Sequence, residues 1–77
     1  MKNNTFQIGD IAILQNKPIY DRGRVFNGPF TIRINGIYPE NKDKQINFTI
    51  IDGEPGSIGI TNSCMETEII RIDQSTP

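Results

Sequence analysis

Alternation of apolar and polar residues is the main structural signal in this chain, and its period of two is typical of β-strands. The pattern is clearest over residues 30–35 and 45–51, in which every second residue is an isoleucine or a phenylalanine. The polar residues 39–44 separate these two segments, so the sequence predicts a β-hairpin. Gly36 interrupts the alternation, and the residues after it change faces, which predicts a bulge or bend at this glycine.

Shorter apolar runs on either side of this hairpin predict three further strands. Ile11–Leu14 is the first of them, and residues 57–61 follow a turn at 52–56. Residues 68–72 form the last. Residues 62–66 have no alternating pattern and predict one short helical turn before this closing strand.

The segment Gln15–Gly28 interrupts the regular pattern between the first two predicted strands. Proline, glycine, asparagine and aspartate are all present in it, which predicts a long loop or an irregular hairpin. The fold class predicted for the chain is therefore all-β, a single five-stranded domain over residues 6–72 with a short 3₁₀ turn before the last strand and polar tails at 1–5 and 73–77. One face of each strand is expected to form the core: Ile11, Ile13, Phe30, Ile32, Ile34, Ile46, Phe48, Ile50, Ile58, Ile60 and Ile70.

Two short phrases of the sequence resemble bacterial SH3-like domains. Residues 6–13, Phe-Gln-Ile-Gly-Asp-Ile-Ala-Ile, are similar to the aromatic-x-aliphatic-Gly-Asp opening of KOW-type modules and of the YodC-like family. Residues 28–32, Gly-Pro-Phe-Thr-Ile, resemble the entry to the second strand of YodC-like proteins. The resemblance implies an SH3-like small barrel. Segment 15–28 is longer than in the YodC-like pattern, and the glycine–valine signature of a KOW motif is absent.

Composition excludes several kinds of chemistry. Cys64 is the only cysteine and there is no histidine, so the chain has no internal disulfide and no ordinary zinc ligand set. Without a histidine to activate it, Cys64 is expected to be a buried small hydrophobe rather than a nucleophile. The acidic pairs Asp52/Glu54 and Glu66/Glu68 are expected to be solvated charges that protect strand edges from aggregation. The sequence therefore predicts a non-enzymatic protein with no cofactor and no metal.

Charge and hydropathy limit the possible partners. Eight Lys and Arg residues against nine Asp and Glu give a formal net charge of −1. Because proteins that hold nucleic acid through its phosphates usually have a basic surplus, such a role would depend on a local patch. No apolar run approaches the length that spans a bilayer, and the N-terminal residues lack a signal-peptide pattern. A cytoplasmic protein without a membrane partner is expected.

Three aromatic residues outside the clean strand alternation are candidates for binding: Tyr20, Phe26 and Tyr38. Aromatic residues of this kind can line a groove for an extended peptide or stack on nucleobases. For Phe26, a place in the core is an equal alternative, whereas Tyr20 and Tyr38 are the better candidates for exposure.

Basic residues of segment 15–28 complete the predicted binding set: Lys17, Arg22 and Arg24. The Arg-Gly-Arg sequence at 22–24 is similar to the core of a minor-groove AT-hook. Its neighbours are Asp21 and Val25 rather than proline and further basic residues, which favours a solvated loop tip.

The favoured hypothesis is a small binding or adaptor module that binds a protein partner through segment 15–28. Free-standing barrels of this size are frequent in phages and other mobile elements, so such an origin is expected. Two alternatives remain open at this stage. One is a KOW-like nucleic-acid-binding module with a local basic patch that also includes Arg33. The other is a structural subunit that oligomerises through its strand edges.

Overall fold

The computed structural model describes residues 6–15, 17–38 and 44–72, and it confirms that the chain is all-β. The described strands are β1 (Ile11–Leu14), β2 (Ile19–Asp21), β3 (Arg24–Phe26), β4 (Phe30–Tyr38), β5 (Gln45–Asp52), β6 (Thr61–Met65) and β7 (Ile69–Arg71), and a 3₁₀ turn occupies Glu66–Glu68. The predicted tails and most of the predicted turn at 39–44 lie outside the described residues. Within the described part of the chain, no helix is long and apolar enough to cross a membrane.

The seven strands form two antiparallel sheets. Five of them lie in one sheet in the order β6-β5-β4-β1-β7, and β2 and β3 form a separate hairpin. Among the described residues, the edge strands β6 and β7 do not pair with each other, so the sheet is open and does not form a closed barrel, whereas the resemblance implied an SH3-like small barrel. The two additional strands lie within segment 15–28, which is a hairpin rather than a long loop.

The central hairpin of β4 and β5 agrees with the sequence pattern. Ile34 pairs with Phe48 and Gly36 with Asn47, so Asn35 is an extra residue at the predicted bulge. Because of this extra residue, Ile34 and Ile37 both reach the core side of the sheet. A second shift in register lies at Ile51, near the other end of β5.

The inward face of β1 differs from the prediction. Ala12 and Leu14 are fully buried, whereas Ile11 and Ile13 are only half-buried on the opposite face. The cause lies outside the strand: Asp10 accepts a hydrogen bond from the backbone N–H of Ile34, which sets the register of β1 against β4. All four residues of β1 are apolar, so its own sequence contains no polar face.

The closing strand β7 also buries the face opposite to the predicted one. Ile69 is buried, while Ile70, which was predicted to be in the core, is 52% exposed and pairs with Ile13 on the outer face. The apolar residues of the two strands therefore continue onto the outside of the sheet.

The predicted strand at residues 57–61 is a tight turn. The backbone N–H of Ile60 donates to the carbonyl oxygen of Ser57, and Gly59 has a φ of +93°, which a glycine adopts without strain. Ile58 lies at the corner of this turn and is 53% exposed, while Ile60 is half-buried. Ser57 is fully buried instead, and its hydroxyl donates to the carbonyl oxygen of Glu54.

Strand β6 occupies most of the segment that was predicted to be a helical turn. Residues 61–65 pair with β5, and Cys64 faces Ile46 in the core. The 3₁₀ turn is present, but it begins at Glu66. Cys64 is the one buried residue of β6. The other positions of this edge strand can therefore be polar.

The core lies on one side of the five-stranded sheet and is closed by residues from the loops. Its buried apolar members are Phe6, Ala12, Leu14, Ile19, Phe26, Phe30, Ile32, Ile34, Ile46, Phe48, Ile50, Cys64 and Ile69. Gly53 packs closely over it, since a Cβ at this position would lie 2.8 Å from a ring carbon of Phe30. The β2–β3 hairpin is attached to the core through its own two buried side chains, Ile19 and Phe26.

Candidate binding surface

The β2–β3 hairpin is held in shape by a two-residue turn. Asp21 pairs with Arg24, and the residues between them, Arg22 and Gly23, have φ values of +52° and +79°. Positive φ at both positions defines the type I′ turn, whose twist matches that of the flanking strands. Arginine is an unusual residue in the left-handed region. The turn places its side chain, 92% exposed, at the tip of the hairpin.

The two faces of the hairpin have opposite environments. Ile19 pairs with Phe26, and both side chains are buried, at 1% and 3% exposure. On the other face Tyr20 pairs with Val25, and both are exposed, at 67% and 49%. The sequence-based expectation of an exposed Tyr20 is met, and Phe26 belongs to the core. The hairpin therefore presents an aromatic and an aliphatic side chain next to each other on a firmly anchored support.

Contacts within the hairpin and contacts with residues 54–56 hold the hairpin in position. The guanidinium of Arg24 lies 4.9 Å from the centroid of the Phe26 ring, a cation–π geometry. A Cβ on Gly56 would lie 3.2 Å from the same ring, so the turn backbone packs directly on it. The backbone N–H of Asn27 donates to the Glu54 carboxylate at 2.8 Å. Glu54 therefore has a structural role that the sequence pattern did not indicate.

Lys17 holds the base of the hairpin against the 3₁₀ turn. Its ammonium donates to the Glu68 carboxylate at 3.2 Å, and the same oxygen accepts the backbone N–H of Met65 at 2.8 Å. The Met65 hydrogen bond, followed by Lys17, holds the pKa of Glu68 below its ordinary value. Lys17, one of the predicted binding residues, thus also has a structural contact.

A groove of about 490 Å³ runs along the base of the hairpin. Pro18 and Pro29 form its apolar part, and Gln15, Asn27 and Lys17 add polar groups. The ring of each proline restricts the backbone φ angle at its own position. Together with Tyr20 and Val25, this groove makes segment 15–28 the most structured candidate surface of the described residues.

The basic residues of this segment each contact a different group. Lys17 lies at the base, where it contacts Glu68, and Arg22 lies at the tip, 3.9 Å from the carboxylate of Asp21. Arg24 lies over the Phe26 ring.

Tyr38 belongs to a different surface. It lies on β4, pairs with Gln45 of β5, and its ring folds back over Gly36, where a Cβ would be 3.0 Å from the tyrosine oxygen. The ring is 46% exposed on the outer face of the five-stranded sheet. Tyr20 and Tyr38, which were predicted together as binding residues, belong to strands of separate sheets.

Cys64 is the buried small hydrophobe that the sequence predicted. It is 4% exposed, and burial, reinforced by the nearby charge of Glu68, raises the pKa of its thiol to about 12. Such a thiol is a poor nucleophile at neutral pH. In the described part of the chain, no three His, Cys, Asp or Glu side chains gather as metal ligands.

Val25 is the member of this surface that the sequence analysis missed. The signal was present: recognising Arg22-Gly23 as a two-residue turn would have placed Val25 directly opposite Tyr20. Comparisons with known proteins add no further constraint, since no family model, no curated protein and no solved structure matches this chain.

Proposed function

We propose that this chain is a small non-enzymatic binding module that contacts a protein partner through the β2–β3 hairpin. The observation that carries this proposal is the Tyr20–Val25 pair, which is exposed on one face of the hairpin while Ile19 and Phe26 are buried on the other. Tyrosine is enriched among the residues that dominate the energetics of protein interfaces. A rigid support lowers the entropy that such an anchor loses on binding.

The order of the elements supports an SH3-like architecture for this module. The first strand is followed by the hairpin segment, by the meander of β4, β5 and β6, by the 3₁₀ turn and by a closing strand that pairs with β1. The resemblance of residues 6–13 and 28–32 to YodC-like and KOW-type domains favours the same architecture. The origin from a phage or other mobile element and the cytoplasmic location stay predictions.

The two alternative functions have less support. For nucleic acid, the ion pairs of Lys17 with Glu68 and of Arg22 with Asp21 are unfavourable, because each partly neutralises a cation that would contact phosphate. For oligomerisation through strand edges, β6 is a poor template, because two of its backbone N–H groups are already taken by side chains. Ser63 donates to the Asn62 amide oxygen at 2.7 Å, and Met65 donates to Glu68.

Affinity capture from a lysate of the source cells tests the proposal, with the whole chain as bait and three variants in parallel. Tyr20→Ala should abolish capture of a specific protein without lowering the melting temperature, because the side chain is mostly exposed. Tyr38→Ala is the matched control, an exposed tyrosine on another surface, and should retain the captured protein. Phe26→Ala should instead unfold readily.

Two outcomes would contradict this function. If only background proteins were recovered, the proposal of a protein partner would be contradicted. Capture that is lost after nuclease treatment would favour the nucleic-acid alternative, for which the double variant Arg22→Ala/Arg24→Ala should flatten the salt dependence of binding by about two units. For a protein partner, the same double variant should mainly slow association.

A further inference from the structure

A second surface lies on the outer face of β4, β5 and β6, away from the hairpin. The outward side chains of these strands include amides and hydroxyls, whereas the inward side chains form the core. A groove of about 590 Å³ on this face is lined by residues of the three strands: Asn35, Gln45, Asn47, Phe48, Thr61, Asn62 and Ser63. None of the residues that line it is ionisable. The groove is therefore polar without being charged.

Hydrogen bonds between side chains hold two of these amides in position. Asn35, the extra residue of the bulge, donates through Nδ2 to the hydroxyl oxygen of Thr49. Gln45 donates through Nε2 to Oδ1 of Asn47 at 3.4 Å. Within the described residues, Asn35 Oδ1 and Asn47 Nδ2 have no side-chain partner. The face thus presents one acceptor and one donor that are already oriented.

An aromatic ring lies beside these amides. Tyr38 pairs with Gln45, and Gly36, over which its ring lies, pairs with Asn47. The absence of a side chain at Gly36 leaves room for this ring, because a Cβ there would lie 3.0–3.3 Å from its nearest atoms. A partly exposed aromatic face next to oriented amides suits a ligand that has an apolar C–H face and a rim of hydroxyl groups.

We propose that this groove binds a neutral carbohydrate, with Tyr38 as the stacking surface and Asn35 and Asn47 as the groups that bind its hydroxyls. A sugar hydroxyl both donates and accepts, so it matches the amide donor of half-buried Asn47 beside the amide acceptor of exposed Asn35. The uncharged lining favours a neutral ligand over an anionic one. Tyr38 and Arg33 both lie on this face next to the groove rather than in its lining, Tyr38 beside Gln45 and Arg33 beside Thr49.

Titration of the isotope-labelled full chain with maltotriose, cellotriose and triacetylchitotriose, followed by NMR, tests this site. Concentrations up to about 10 mM are needed, because a Kd near 1 mM corresponds to only about −4 kcal/mol. At least one sugar should shift the side-chain amide signals of Asn35 and Asn47. Tyr38→Ala and Asn47→Ala should each weaken binding at least about tenfold, while Tyr20→Ala should leave it unchanged.

Several results would overturn the proposal. They are the absence of shifts with all three sugars, shifts confined to other residues, and an Asn47→Ala variant that folds and binds as tightly as the parent. Salt-sensitive binding of a short oligothymidine at these amides, without sugar binding, would assign the groove to single-stranded nucleic acid instead. Because the protein-binding function is tested through Tyr20, either proposal can fail without the other.

Discussion

The ammonium group of Lys17 lies 3.2 Å from a carboxylate oxygen of Glu68, which joins the base of the hairpin to the 3₁₀ turn across 51 positions of sequence. The same oxygen accepts the backbone N–H of Met65 on the edge of β6. One carboxylate therefore holds the hairpin in place and occupies a donor on an exposed strand edge. This contact is partly exposed, so its energetic contribution is modest, but it orients the segment on which the proposed binding surface depends.

The first prediction concerns the charge of Glu68. Replacing it with Ala should lower the free energy of unfolding by about 1 kcal/mol at neutral pH, while Gln should cost less because it keeps an acceptor for Met65. The pKa of this group is lower in the folded state, so its stabilising contribution is present above the unfolded pKa and is lost as pH falls through the folded pKa. Urea unfolding of the parent and Glu68→Gln should therefore converge in acid. A difference that stays constant with pH would contradict this.

The second prediction concerns Phe48, which is fully buried at the centre of the core. Phe48→Ala should cost about 3–5 kcal/mol, the usual range for a buried phenylalanine and a large part of the stability of a small domain. Ile58→Ala is the control, because Ile58 lies at the corner of the turn and should change stability by less than about 0.5 kcal/mol. Thermal or chemical unfolding measures both. A loss below about 1 kcal/mol for Phe48→Ala would show that the wrong face of β5 is buried.

The third prediction tests the inward face of β1. Leu14→Ala should cost about 2–5 kcal/mol because Leu14 is fully buried, whereas Ile13→Ala should cost about 1 kcal/mol or less on the half-buried outer face. The two residues are neighbours of similar volume, so the comparison isolates burial. Equal losses, measured by urea unfolding, would contradict the register of β1 against β4.

The fourth prediction concerns the turn at the hairpin tip. Arg22 has a φ of +52°, in a region where most L-residues are strained by about 1–2 kcal/mol and asparagine is tolerated. Arg22→Asn should therefore raise the free energy of unfolding by about 0.5–1 kcal/mol. Arg22→Ala removes the same charge without suiting this conformation and should give no gain. If both variants were equally stabilising, relief of charge rather than of backbone strain would be the cause.

Local pattern was sufficient for the all-β class and for the hairpin of β4 and β5 with its bulge at Gly36. In those segments, apolar and polar residues alternate over enough positions to define both the strand and its buried face. The exposure of Tyr20 was predicted on a different ground, namely that this residue lies outside any alternating run. The burial of Cys64 followed from its chemistry.

Other features depended on tertiary contacts. The four residues of β1 are all apolar, so only pairing with β4 and β7 decides that Leu14, and not Ile13, reaches the core. The turn at Ser57–Ile60 replaces a strand because Ser57 is buried through a hydrogen bond to Glu54. Phe26 is buried because a two-residue turn pairs it with Ile19. Glu68 acquires its role from partners on two other elements, and contacts of that kind leave no periodic trace in a sequence.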